Sequence, residues 1–284
     1  MIGSSAYAGI AMMIAFGLVV PVALAVWWIR AKKEKVTTVL LGAATWFVFA
    51  ILLESIPKTI FITPLLPVGK AVTQNLALTI ALAALFAGVF EETGRFLVFR
   101  FLLKNRRNRE TGVSHGLGHG GFEAMYLMLA GGIQNLVYAV MINAGRFQEL
   151  LDAAAAKGVD ASSLEALPAQ LAAISPATSG LGMLERLFAI ALHVGLSLLV
   201  FYAVKRRRIW LYPLAIALHA LFDLPAALYQ FGVIGNLYAV EGLIAAYAIA
   251  LLAIVYFALY RKDKETNAAI QNQTGGENDA AAQY

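Results

Sequence analysis

Three polar runs interrupt long apolar stretches of this chain: Glu91-Glu92-Thr-Gly-Arg95, His115-Gly-Leu-Gly-His119-Gly-Gly-Phe-Glu123, and His219-Ala-Leu-Phe-Asp223. A lone histidine, His193, sits in a fourth apolar stretch. Carboxylates and neutral imidazoles form an oxygen and nitrogen ligand set suited to zinc, with one position open for water. A glutamate beside such water can act as general base in a hydrolysis. By type and spacing, the ligand candidates are His119, Glu123, His193 and His219, and either Glu91 or Glu92 is the candidate base. Asp223 is a candidate orienting group or a group on the oxyanion side, and Arg95, four residues after Glu91, can offset its charge. The chain has no His-Glu-x-x-His helix, which excludes a familiar zincin site. It has no cysteine either, so thiolate ligands, thiol nucleophiles and disulfides are out.

The elements that carry these residues are membrane spans. Of the 284 residues, 60% are hydrophobic, and the mean hydropathy is +0.72, too apolar for a soluble globule. The expectation is an all-α polytopic membrane protein with seven transmembrane helices at about 6–29, 36–53, 71–103, 113–144, 183–204, 209–230 and 237–260. The first apolar run has no basic segment before it and is long enough to span, so it reads as a retained helix rather than a cleaved signal. The third and fourth stretches exceed what a bilayer needs and should tilt, break or protrude. Positive charge sets the orientation. Fifteen Lys and Arg residues fall in one set of loops (30–35, 104–109, 205–208, 261–264), against Lys58, Lys70, Arg146 and Lys157 on the other. This predicts an N-terminus outside and a cytoplasmic C-terminus. The net charge of +5 is thereby explained by topology, and the basic residues form no nucleic-acid face. Residues 1–264 read as a single membrane domain. Within it, 145–182 form an outside loop that caps the bundle or lies on the membrane, with Ser162 and Glu165 at capping-box spacing. Residues 265–284 read as a disordered tail. No internal repeat suggests an inverted-repeat transporter.

The predicted topology brings the polar residues to one depth. At 1.5 Å per residue, Glu92 and His193 lie about 18 Å from the cytoplasmic end, Glu123 and His219 about 16 Å, and His119 about 10 Å. An unpaired ionisable group at mid-bilayer costs roughly 3 kcal/mol on insertion scales, so six would cost on the order of 15 kcal/mol. Such groups should therefore meet one another. Taken singly, each has a plain structural reading. Glu91, Glu92 and Arg95 suit an intramembrane ion pair, and His119 with Glu123 a packing hydrogen bond. His193 suits a bond to a backbone carbonyl, and His219 with Asp223 a buried pair or proton relay. His115 lies near the interface, outside the catalytic set, while Glu185 and Arg186 suit a pair at the outer end of their span. The glycines at 116, 118, 120 and 121 allow close helix contact or a broken helix that admits water.

At these residues the chain resembles the YhfC family of intramembrane metalloproteases. The likeness is carried by Glu91-Glu92-x-x-Arg95, Gly116-x-Gly118-His119-Gly120-Gly121-x-Glu123-Ala124, Glu185-Arg186 with His193, and His219-x-x-x-Asp223, across roughly 70–230. More distantly it is similar to the CAAX prenyl protease and bacteriocin-processing group, to PrsW, and to the seven-helix scaffold subunit of γ-secretase. The resemblance implies a catalytic Glu91 or Glu92, site roles for His193 and His219, and Asp223 where the prenyl proteases carry a polar residue. Two residues separate Glu92 from Arg95 here, against three in the prenyl-protease pattern, and the His119 run is an addition. The prenyl-protease likeness also carries a metal-free mechanism in which glutamate and histidine activate water.

The leading expectation is an intramembrane endopeptidase, with zinc as the expected cofactor. It would act on a membrane protein or peptide from within the bilayer of a bacterial cell. The alternatives are a proton- or cation-coupled transporter using the same cluster, and a scaffold in which the cluster is buried and fully satisfied. Substrate sequence and oligomeric state have no signature in the chain.

Overall fold

The computed structural model describes residues 1–156 and 162–263. The expected cap at Ser162 and the tail at 265–284 lie outside the described side chains. The described residues are helical, with no strand. Seven helices are long and apolar enough to cross a membrane: Ser4–Lys32, Val36–Phe61, Leu76–Leu102, Glu110–Asn143, Pro176–Lys205, Leu211–Gln230 and Leu237–Asp263. They are referred to below as the first to seventh spans. The protein is a multi-pass integral membrane protein.

Three span boundaries differ by several residues from the hydropathy reading: the second span runs on to Phe61 rather than ending near 53, and the starts of the third and fifth spans shift for local reasons. The third span starts at Leu76, not near 71, because Asn75 caps it, its side chain accepting a hydrogen bond from Leu78 N at 3.1 Å. The preceding apolar residues form a separate short helix, Pro67–Thr73, with proline in its first turn. The fifth span starts at Pro176 rather than 183. Thr178 N donates to Ser175 Oγ at 3.2 Å, and Ser175 N donates to Thr178 Oγ1 at 2.9 Å. This first turn is polar and small, so hydropathy misses it while the cap starts the helix. The second, third and seventh spans each contain a π-helical turn, Phe47–Leu53, Val98–Leu102 and Tyr256–Tyr260. Such turns recur at functional sites.

Two compact units make up the chain: Met1–Trp27 with Gly121–Leu187, and Trp28–Gly120 with the described residues from Phe188 onward. In the first unit, Ile2, Ala6, Ile10, Ala139 and Leu171 form the core. Leu171 belongs to Leu167–Ala172, so the loop between the fourth and fifth spans contributes a helix to that core. Asn143 holds the start of the chain, accepting from Ile2 N at 2.7 Å and donating to Ile2 O at 3.0 Å.

In the second unit the fifth span is the inner helix. Nearly every residue from Leu192 to Ala203 is buried, on all faces rather than on one stripe. The third and sixth spans pack extensively against each other. Glycine permits close approach of the fourth span to the fifth. A methyl group at Gly116 would lie 2.6 Å from Val194 Cα, and one at Gly120 would lie 2.8 Å from His193 Cβ. The fourth span runs unbroken through these glycines, so Gly116 and Gly120 serve close contact with the fifth span and Gly118 close contact with Val39 of the second, not a helix break. We expect Gly116→Ala to destabilise the protein by about 1–3 kcal/mol through overpacking against backbone. Gly121→Ala, where the nearest neighbour would be Pro21 Cβ at 3.5 Å, should be neutral or slightly stabilising. Thermal unfolding of both variants in detergent checks the contrast.

Candidate functional site

The site is built in the second unit from the third, fourth, fifth and sixth spans. On the third span, Glu91, Glu92 and Arg95 fall within one helical turn, and all three are buried. Arg95 Nη1 donates to Glu92 Oε1, and Arg95 Nη2 lies 3.7 Å from Glu91 Oε2. A single guanidinium thus offsets both acids, more than the pairing of Arg95 with Glu91 alone. Arg95 Nη2 also lies 2.6 Å from His193 Nδ1 on the fifth span. Arginine is only a donor, so His193 accepts through Nδ1 in this arrangement.

The sixth span contributes His219. Its Nδ1 lies 2.7 Å from Glu92 Oε1, and its Nε2 lies 3.9 Å from Glu91 Oε2 and 3.6 Å from Asp223 Oδ2. A carboxylate accepts only, so Nδ1 carries the proton and Nε2 presents its lone pair toward Glu91. A carboxylate fixing one imidazole nitrogen so that the other can bind metal is the usual outer support of a metal-ligating histidine. Asp223 is the most open member of the group, with its side chain 32% exposed.

His119, on the fourth span, donates through Nε2 to Glu91 Oε2 at 2.8 Å. Its ring centre is 4.9 Å from that of His193, which in turn is 5.4 Å from that of His219. His119 Nδ1 and Glu92 Oε2 are buried without a hydrogen-bond partner among the described residues. Buried polar atoms normally find partners, and orphans of this kind point to an absent ligand, ion or water. His115, one turn before His119, is held away from this chemistry. Thr45 Oγ1 donates to Leu41 O at 2.6 Å, so at 3.3 Å from His115 Nε2 it accepts, and Ser197 Oγ lies 3.3 Å from His115 Nδ1.

Three residues offer ligand atoms that all lie within 4.8 Å of one another: Glu91, His193 and His219. Two imidazoles and a carboxylate form a ligand set found in catalytic zinc sites. The donor set, the preset His219 Nε2 and the orphaned atoms all fit a bound metal. The remaining sequence candidates take other places. His119 reaches the group through its bond to Glu91, Glu92 holds His219, and Arg95 pairs with Glu92 while occupying the Nδ1 lone pair of His193. Glu123 lies in the first unit, where Arg186 Nη1 donates to its Oε1 at 2.8 Å, and Arg186 Nη2 donates to Glu185. The sequence gives no local sign of this pairing, because Arg186 lies 63 residues from Glu123.

The chain matches the family described as YhfC intramembrane metalloprotease over residues 16–244, a stretch that contains every residue named in the site. It is 37% identical over 256 residues to a Bacillus subtilis (strain 168) protein described as an uncharacterized membrane protein YhfC. That alignment covers 90% of this chain and 96% of the relative. No solved structure matches. With seven spans, a buried Glu/His group able to hold a metal, and this extent of similarity, the chain belongs to the YhfC family.

Proposed function

We propose that the protein is an intramembrane endopeptidase of the bacterial cell membrane, hydrolysing a peptide bond of a membrane-embedded or membrane-proximal substrate. The observation that carries this reading is the convergence of Glu91, His193 and His219 from three spans, with Glu92 fixing the tautomer of His219. Zinc is the metal this donor set suits. When bound it would polarise a water and the scissile carbonyl. The family description supports the reading.

The chain's own groups then divide the work. Glu91, His193 and His219 form the ligand set. Glu92 orients His219, and Arg95 offsets the two carboxylates so that they can share a buried site. His119 holds Glu91 through Nε2, and its unpartnered Nδ1 is the buried lone pair left to accept the proton of the attacking water. The water oxygen bonds to the carbonyl carbon, and His119 returns the proton to the departing amine as the C–N bond breaks. Asp223, beside His219 and partly open, is the polar group at the edge of the cluster. The charge asymmetry of the loops supports an N-terminus outside and a site reached from the cytoplasmic half.

The test is cleavage of a single-span reporter in proteoliposomes by the purified chain. Activity should disappear with a strong chelator and return with zinc. Cleavage indifferent to chelation would leave a metal-free Glu/His protease, and no cleavage of any reporter by a folded, metal-loaded protein would overturn the hydrolase reading. The outer support gives a second expectation. Glu92→Gln should weaken zinc binding by about 10- to 100-fold, read by competition with a chromophoric chelator.

A further inference from the structure

Beyond the Glu/His cluster, a strongly cationic concavity lies where the third and fifth spans end. These two spans cross the membrane in the same direction, so their last turns share one face. Between them is a recess of about 170 Å³, with Arg100, Lys104, Arg106, Arg107, Lys205 and Arg207 around an apolar wall that includes Phe201. No carboxylate lines it. Lys205 is answered by Asp263 at 2.6 Å. The other five cations make no side-chain hydrogen bond or ion pair with the described residues. Arg207 enters on a left-handed turn, φ 54°, which folds the chain back so that Lys205 and Arg207 line the same recess.

Topology explains why cations lie on this face, but not why so many point into one concavity, where like charges repel. The two helix C-termini here offset only about one unit charge between them. An anion with several oxygens answers the remainder. Arginine forks match phosphate geometry. The recess also stands at the membrane boundary, where an apolar wall beside Phe201 suits the glycerol and first acyl carbons of a lipid.

We propose that this recess binds a phosphate group, supplied by the headgroup of an anionic phospholipid. The site is separate from the Glu/His cluster and independent of any catalytic reading. The test uses the full chain in phosphatidylcholine nanodiscs, with either a graded fraction of phosphatidylglycerol or free inorganic phosphate. Thermal unfolding and lipid retention by native mass spectrometry are the readouts. Lys104→Gln/Arg107→Gln is compared with Arg30→Gln/Lys35→Gln, which removes two exposed cations outside the recess. Phosphatidylglycerol should stabilise the wild type and be retained by it. Retention should fall about tenfold or more in the recess variant and stay unchanged in the control. Equal loss in both variants, or no loss in either, overturns the proposal. Stabilisation by free phosphate alone, abolished in the recess variant, would support the phosphate site while assigning it to a soluble anion. A response to neither ligand overturns it.

Discussion

Glu91→Gln is expected to empty the metal site and stop hydrolysis while leaving the seven-span fold in place. Glutamine keeps the size of Glu91 but gives up the anionic oxygen that faces His193 and His219. Metal affinity should fall by about 100-fold or more, and cleavage by about 10³-fold. His119→Gln makes the informative partner. Its Nε2 supports Glu91 at 2.8 Å, but its Nδ1 is the lone pair assigned to proton transfer. This variant should retain near-stoichiometric metal, with an affinity lowered about tenfold by loss of outer support, yet lose about 10²- to 10⁴-fold in turnover. Metal analysis and single-turnover cleavage on the same preparations separate the two roles. A Glu91→Gln protein that keeps its metal beside a His119→Gln protein that has none would exchange the assignments.

The second large effect is expected at Arg95. This guanidinium has no exposure, pairs with Glu92, and lies 3.7 Å from Glu91. Arg95→Gln leaves two carboxylates in the apolar interior without their counter-charge. Breaking a buried pair from one side costs about 3–5 kcal/mol, so the metal-free variant should unfold well below the wild type. Arg95 also donates to His193 Nδ1 at 2.6 Å. A metal ligated by that nitrogen must displace the guanidinium, so in the wild type the two cations compete for one lone pair. Arg95→Gln should therefore gain far more stability from zinc than the wild type does, and bind it more tightly. The measurement is thermal unfolding across a zinc titration in detergent. An Arg95→Gln protein as stable as the wild type without metal, or one that binds zinc more weakly, would contradict this account.

The histidines and acids come together in a way that much of the sequence foreshadows. Hydropathy marks seven spans because each must match one bilayer thickness, and the helical rise then puts Glu92, His193 and His219 at a similar depth. The structure brings those residues, with Glu91, Arg95 and His119, into contact. The rest depends on distances that periodicity does not carry. His219 takes its tautomer from Glu92, 127 residues away, and Arg95 reaches His193 across 98. Glu123 lies four residues after His119 and so on the same helix face, yet Arg186 takes its carboxylate. No spacing rule foresees that partner. Local capping decides where the third and fifth spans begin, and hydropathy averages over it. The glycines left two readings open, and the unbroken fourth span with its close approach to the fifth selects packing.

If Glu91, His193 and His219 hold one metal ion, the metal content of the purified chain reveals it. Wild type, His193→Ala and His219→Ala would be purified in detergent without added metal, reloaded with zinc and analysed by elemental mass spectrometry. Close to one zinc per chain is expected in the wild type and almost none in either variant, with all three proteins still folded. A wild type that takes up no metal, or variants that retain as much as the wild type, would contradict that expectation.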